Sequence, residues 1–494
     1  MLKLLLNSLL YILFTKKRSL PKSCDAFASQ LFFAASGLQK CEEIDKNIEV
    51  WYHLSEPCPQ KHERGSIVTR EKKKIVNIAI WIVAGICLCT ILVKTGLAPE
   101  RILMILAICM GSVLIHYKRA SGSEDYIKKI LGLKAGANRD FRYDWLRVLA
   151  VVMVIVTHAV QVDLSLGLVT DKHQIFICNI VYMLCLACNL IYVMLSGALL
   201  IPYKEEKLSD FYIKRVVKVF FPMAVYFIFY LWQNRELDMV TWGTIRNICV
   251  RLLQGDTPES PHYWLMYTLL SVYIVIPLFR YMFHNMPYKM LSAIVVISLV
   301  LMGLNLFSPV KIALSSFLAG WEGIAIIGYW VTRPETKKYH RLLIGTGIAA
   351  FAVMIFMIAK EMDYRTLCCN TSPVMTLISA GIFAFVLGRD KVFGRGNMLL
   401  NILSKYSYSL ILIHWWSLHW ITRGRLGIQV TQYHGGGLVL SLLATLFVSL
   451  LAAICIDNFV MVFVEQIFWW MLKGVKKLIG KTALTVKRNY KMKK

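Results

Sequence analysis

Charge is scarce in this chain. Of its 494 residues 17% are charged and 57% hydrophobic, with a mean hydropathy of +0.56. That balance excludes an ordinary soluble protein of this length and points to membrane residence. Acidic residues are scarcer still, with Asp+Glu 29 against Lys+Arg 56 and a formal charge of +27. The basic residues are divided among short segments between apolar runs and the two chain ends. Positive-inside topology accounts for that distribution, and no nucleic-acid partner is expected. A basic cytoplasmic face also suits anionic lipid headgroups or a phosphorylated cosubstrate. The 13 cysteines form no metal-ligand spacing. Cys178, Cys185 and Cys188 lie in or beside an apolar helix, and Cys368 and Cys369 are adjacent, a strained geometry for pairing. No metal site is expected. No A-x-A cleavage region follows the first apolar stretch, and no convincing internal repeat is present.

Apolar runs of roughly 18 to 22 residues, the length that crosses a bilayer, recur from residue 75 to residue 456. The expected fold is all-α, a polytopic transmembrane helix bundle with a ten-helix core and an amino-terminal two-helix hairpin. Residues 1–74 form an amino-terminal appendage, cytoplasmic, whose first 15 residues read as a short anchor, an interfacial helix or a signal-like segment. Residues 75–117 form the added hairpin, and 118–139 a basic connector. The core of 140–456 divides into crossings at about 144–163, 174–200, 212–231, 263–280, 289–307, 311–331, 342–359, 373–388, 402–420 and 436–456. Loops expected inside carry Lys204, Lys207, Lys214, Arg215, Arg280, Lys289, Arg333, Lys337, Lys338, Arg341, Arg389, Lys391 and Arg395. Loops expected outside are poorer in basic residues and include Asp163, Asp171, Glu236, Asp238, Asp256 and Glu259, with the loop of Arg423 and Arg425 as an exception. An even number of core crossings with both ends cytoplasmic follows. Residues 457–494 read as an interfacial amphipathic helix, rich in Phe and Trp, and a basic cytoplasmic tail.

Ionisable groups within such runs are candidate functional residues. The first core crossing holds Arg147 and His158, eleven residues apart, which on a helix is about 16 Å of rise and close to three turns. They cannot touch, yet they share a face. Arg147 alone reads as an anion anchor or as a snorkelling arginine paired with Asp144 at i,i+3. His158 reads as a proton-transfer group or a satisfied packing residue.

The Arg147-x10-His158 spacing resembles the first-helix signature of acyltransferase family 3, membrane enzymes that O-acylate sugars and other envelope acceptors. Further matching segments follow in order: Leu195-Ser196-Gly197; Phe211, Tyr212, Arg215, Lys218 and Pro222; Tyr263, Trp264, Leu265, Tyr273 and Pro277; Gly328 and Tyr329; and Ser407, Tyr408 and His414. The resemblance covers about residues 140–456. Lys218 stands where an arginine is common, which keeps the charge and loses the bidentate fork. The chain after 456 is too short for the hydrolase-like or racemase domains of some relatives, so racemisation is not expected.

The resemblance implies a membrane-bound O-acyltransferase in the cell membrane, with acyl-CoA, acetyl-CoA by default, as cosubstrate and no permanently bound cofactor. The acceptor would be an envelope saccharide or a lipid-linked sugar. Arg147, with Arg215 and Lys218, would bind the CoA phosphates, while His158 would act as general base or carry the acyl group covalently. Asp144, Tyr263, Trp264, Tyr273 and His414 are expected to line the substrate route, and Ser196 to pack closely rather than react. The competing reading is a transporter or exporter of a small anionic or saccharide solute; another is a membrane sensor or assembly partner.

Overall fold

In hydrocarbon a backbone must satisfy its own polar groups, and a single segment can do so only as a helix. The computed structural model describes residues 79, 82, 83, 86, 99–120, 126–133, 139–234, 241–307 and 317–474, and among these there is no strand. The appendage, nearly all of the first helix of the expected hairpin and the basic tail lie outside the described residues. The described residues belong to one compact unit, Thr69–Lys494.

The helices are α1 (Pro99–Ala120), α2 (Phe141–Ser165), α3 (Lys172–Leu200), α4 (Leu208–Gln233), α5 (Trp242–Gln254), α6 (Trp264–His284), α7 (Tyr288–Phe307), α8 (Trp321–Thr332), α9 (His340–Ala359), α10 (Pro373–Leu387), α11 (Met398–Trp416) and α12 (Gly436–Gly474). Ten of them, α2 to α4 and α6 to α12, occupy the ten expected positions. Seven helical spans are long and apolar enough to cross a membrane: α2, α3, α4, α7, α12, and the spans Pro261–His284 and Pro334–Ala359 that contain α6 and α9. α8 and α10 are shorter, with 12 and 15 residues. α11 is long enough but more polar, burying Asn401, Ser404, Ser407 and Ser409.

α2 is the centre. Of its most apolar window 67% is buried inside the protein, against 22 to 44% for the other six spans. It packs on α3, α10, α11 and α12, and this enclosure places the Arg147–His158 face inside the bundle.

Small residues set the closest helix contacts, because between lipid-facing helices van der Waals fit replaces the hydrophobic drive. α3 and α8 meet at Gly197 and Gly328: a Cβ on Gly197 would strike the backbone of Ala325, and one on Gly328 the backbone of Met194. α9 and α10 cross at Gly347 and Gly381, where a Cβ on either would stand 3.1 Å from the other's Cα. On α12 the buried stripe is Gly437, Ser441, Thr445, Ser449 and Ala453, one residue per turn. Thr445 and Ser449 bond Thr422 and Ser417 of the facing segment, each at 2.9 Å.

Three π-helical turns interrupt the bundle, at Val216–Phe220 within α4, at Ser417–Arg423 after α11 and at Ile456–Met461 within α12. Such turns shift the hydrogen-bond ladder and leave carbonyls to be satisfied elsewhere. The Tyr408 hydroxyl donates to Val219 O at 2.9 Å. On α1, Ser112 donates to Phe459 O and His116 Nε2–H to Asn458 O at 2.7 Å, while Tyr126 donates to His116 Nδ1 at 2.8 Å. Ser112 and His116 are one turn apart, so a single face of α1 docks on the turn in α12.

Two features differ from the sequence expectation. The loop after α4, expected outside, contains α5, an amphipathic helix begun by a Thr241–Thr244 capping box and ended by Gly255 at φ 75°. Trp242 and Leu253 on it are 80% and 77% exposed. No break separates the last crossing from the aromatic stretch after residue 457, since α12 is continuous for 39 residues to Gly474. The π turn absorbs Asp457 and Asn458 without ending the helix, because their side chains are bonded within the bundle.

The glycine contact yields a stability test. Gly328→Ala forces α8 away from α3 and lowers the unfolding free energy by about 1–3 kcal/mol, the usual cost of overpacking. Gly345→Ala, where a Cβ meets nothing within 4 Å, leaves stability unchanged or slightly raised. Thermal unfolding of the two purified variants in detergent distinguishes these outcomes.

Candidate active site

One end of α2 carries a buried carboxylate. Asp144 is 1% exposed and accepts from Arg139 Nε at 2.5 Å and Nη2 at 3.0 Å, from Arg147 Nη1 at 2.8 Å and from Ser404 of α11 at 2.6 Å. Asp144, expected to line the substrate route, lies among two guanidinium groups and a serine hydroxyl. Its oxygens are consumed in holding Arg139 and Arg147, and two guanidinium groups on one carboxylate leave a net positive charge. Arg139 was not singled out from the sequence, because it precedes the crossing and reads as part of the basic connector.

From Arg147 a chain of contacts leads across α3 to α4 and α6. Tyr192 donates to the Arg147 carbonyl at 3.3 Å. Ser196, one turn further along α3, donates to Tyr192 O at 3.0 Å and bonds the Tyr273 hydroxyl at 3.2 Å. With the serine proton committed to a carbonyl, Tyr273 is the donor in that second bond. Tyr273 in turn lies 5.4 Å from the Arg215 guanidinium, whose other ring neighbour is Phe211 at 5.0 Å. Arg215 Nε is buried with no partner. The structure thus brings Tyr273 and Arg215 together, links them through Ser196 and Tyr192 to the main chain at Arg147, and gives Ser196 a structural bond. Lys218 sits on the π turn of α4 and is exposed.

The rim beside Arg215 is fixed by Glu206, in the loop between α3 and α4. It accepts from Lys214 and from Arg280 Nη1 at 3.0 Å, and Arg280 also lies over the Phe211 ring at 4.8 Å. Burial pushes the Glu206 carboxyl upward, but the bonds from Lys214 and Arg280 outweigh it and hold the group below the usual glutamate range.

The other end of α2 carries the imidazoles. His158 lies about 16 Å further along the helix than Arg147 and within about 20° of the same face. Its ring centroid is 5.2 Å from His414, 5.2 Å from Trp415 and 6.4 Å from His262, and His262 and His414 are 4.8 Å apart. Three histidines from α2, α11 and the turn before α6 therefore meet. The tautomers follow from their partners, since a carbonyl only accepts. His414 donates from Nδ1 to Ile411 O at 2.6 Å, and His262 from Nε2 to Leu412 O at 3.2 Å. His414 Nε2 and His262 Nδ1 are left as buried lone pairs with no partner. His158 Nδ1 bonds Gln161 Oε1 at 3.2 Å, which directs Nε2 of the neutral ring to accept.

Tyr263 is fully buried beside this cluster, 4.9 Å from His262, and its hydroxyl has no partner. Trp264 does not join it. The 3-10 turn Pro261–Tyr263 passes into α6 at Trp264, turning His262 and Tyr263 inward and leaving Trp264 40% exposed against Trp321 at 5.8 Å. His262 escaped the sequence reading because the fourth crossing was begun at residue 263. A histidine beside a proline at the mouth of an apolar run was the available signal.

Beyond the histidines, Asp163 is buried and accepts from Arg423 Nη2 at 2.8 Å and from Val430 N–H at 2.7 Å. Arg423, an exception to the charge rule, is thereby neutralised in place.

These features define a polytopic membrane protein with an arginine group near one end of an enclosed helix and a histidine cluster near the other. Residues 140–457 match the family described as Acyltransferase domain, and the chain belongs to this acyltransferase family 3. Searches of curated proteins and of solved structures each found no match. The protein is a membrane acyltransferase.

Glu206 gives the rim a pH dependence of known sign. A carboxyl whose folded pKa is depressed adds stability that is fully present above its unfolded value, about 4.3, and is lost as pH falls through the folded value. Unfolding temperature measured from pH 6 to about 3 falls more steeply for the wild type than for Glu206→Gln, and the two curves converge at the acid end.

Proposed function

We propose that the protein transfers an acyl group, acetyl in the first instance, from acyl-CoA to a hydroxyl of an envelope saccharide or lipid-linked sugar. The observation that carries this reading is the cluster of His158, His262 and His414, with two buried lone pairs awaiting donors, gathered around a histidine that shares the α2 face with Arg147. Arginines present only donors, which suits the phosphates of CoA, whereas lone-pair nitrogens suit hydroxyl groups.

Arg147, oriented by Asp144, and Arg215 hold the CoA phosphates on the cytoplasmic side, and Lys218 adds positive charge at the rim. The thioester reaches along the α2 face toward His158. His158 Nε2 takes the proton of the acceptor hydroxyl as its oxygen attacks the thioester carbonyl carbon. The C–S bond then breaks, the CoA thiolate leaves, and the imidazolium returns the proton to it. His262 and His414 accept hydrogen bonds from the acceptor and orient it, and the unpaired Tyr263 hydroxyl donates to the developing oxyanion. Direct transfer is preferred to an acyl-histidine, since a base with a fixed tautomer and two orienting acceptors needs no covalent step.

Full-length protein in lipid consumes acetyl-CoA only when a saccharide acceptor is present, and the product carries one O-acetyl ester by mass spectrometry. His158→Ala lowers kcat by about 100-fold or more with unfolding temperature unchanged. His262→Ala and His414→Ala lower kcat/KM for the acceptor roughly 5- to 150-fold, the equivalent of one hydrogen bond to a buried acceptor. Arg147→Ala acts mainly on KM for acyl-CoA. Undiminished turnover by His158→Ala would exclude the mechanism, and an absence of acyl-CoA consumption with any hydroxyl acceptor would exclude the activity.

A further inference from the structure

A second basic site lies on the other flank of α2. Arg142 is five residues before Arg147, which turns it about 140° away around the helix. There a cavity of about 480 Å³ is lined by Arg142, Lys337, Arg341, Arg389, Asp390 and His340, with Ile344, Phe385 and Leu387 as apolar wall. Arg142 is committed to Asp140 at 2.7 Å, to Asp390 at 2.5 Å and to Leu387 O at 3.0 Å. Lys337, Arg341 and Arg389 have no carboxylate partner among the described residues; Arg389 rests on the Phe385 ring at 5.0 Å. Arg142 is shared between Asp140 and Asp390, so one negative charge is left against the three exposed cations and the cavity keeps a positive balance.

We propose that this cavity holds the phosphate headgroup of an anionic membrane lipid. Phosphate chemistry follows from the unpaired cations. The lipid source follows from the apolar wall and its surroundings. The cavity opens at the ends of α9 and α10, and the helix surface running away from it is exposed and apolar at Leu342, Ile348 and Phe385, a track for acyl chains beneath a phosphate. A soluble phosphate would gain nothing from that wall. The position also separates it from the Arg147–Arg215 group, which faces α3, α4 and α6, whereas this cavity lies between α2, α9 and α10. Lipid bound here braces the segment that carries Asp140 and Arg142 into α2.

Detergent-purified full-length protein is titrated with short-chain phosphatidylglycerol and, in parallel, with phosphatidylcholine of the same chain length, with thermal unfolding followed by tryptophan fluorescence. The anionic lipid raises the unfolding temperature and the zwitterionic lipid does not. Each of Lys337→Ala, Arg341→Ala and Arg389→Ala raises the half-saturating concentration about fivefold, the worth of one cation at a membrane surface, and the triple variant about 100-fold. His158→Ala responds as wild type. Saturating CoA leaves the lipid titration unchanged, whether or not acyl transfer is observed. Equal responses to the two lipids, or unaltered titrations in all the single variants, overturn the proposal. Displacement of the lipid by CoA also overturns it and assigns the cavity to the soluble cosubstrate.

Discussion

The structure depends on the burial of carboxylates at both ends of one enclosed helix. Asp144 and Asp163 lie near opposite ends of α2, both buried, and each is compensated by arginine: Arg139 and Arg147 at one end, Arg423 at the other. A charge in such a setting is tolerated only when paired and fully hydrogen-bonded, and removing a partner costs several kcal/mol. The two pairs therefore fix where α2 begins and ends. They also fix what lies against it, since Ser404 comes from α11 and Val430 from the loop after it. The His158 ring is held at a defined depth between these two anchors.

Around that helix, closeness is obtained from residues with little side chain. Gly197 against Gly328, Gly347 against Gly381 and the Gly437 to Ala453 stripe bring backbones together where lipid supplies no drive for helix association. The π turns have the opposite effect, locally opening the hydrogen-bond ladder. Two of them are closed by side chains from other helices, Tyr408 on α4 and Ser112 with His116 on α12. The third follows His414 directly and brings His419 to 4.0 Å from Trp415, which itself packs against His158. Irregular backbone at the histidine cluster is thus part of how its rings are aimed.

The helix count, the order of the crossings and the Arg147–His158 face were legible in the sequence because they rest on run length and on the 3.6-residue period. The family was legible because its matching segments fall in order along the chain. Tertiary compensation was not legible. Asp144 looked like a lining residue, since a sequence cannot show that Arg139 folds back and Ser404 arrives from 260 residues away. Arg423 looked like an exception because its partner Asp163 is on another helix. His262 and Trp264 are two residues apart and have opposite fates, decided by a single 3-10 turn that periodicity does not reveal. α5 was missed because its apolar stripe is too short to stand out from a loop. The continuity of α12 was missed because the Phe- and Trp-rich stretch after 457 read as a separate interfacial helix, whereas Asp457 and Asn458 are bonded inside the bundle and carry the helix through.

The two ends of the α2 face differ in hydrogen-bonding sense as well as in charge. Arg139, Arg147 and Arg215 can only donate. His262 and His414 spend their N–H groups on main-chain carbonyls, and the second ring nitrogen of each is buried without a partner. A buried acceptor without a donor costs free energy, and these two nitrogens have none. A phosphate or carboxylate placed there would add acceptors to acceptors, whereas a hydroxyl supplies the missing proton. At the arginine end the preference is reversed, because a hydroxyl would leave most of the guanidinium donors unmet. Under the proposed reading, donor and acceptor count would sort an anionic group and a hydroxyl-bearing group to opposite ends of this helix, about 16 Å apart. A reaction joining the two must bridge that distance with the length of a substrate, because the side chains at either end are pinned in place.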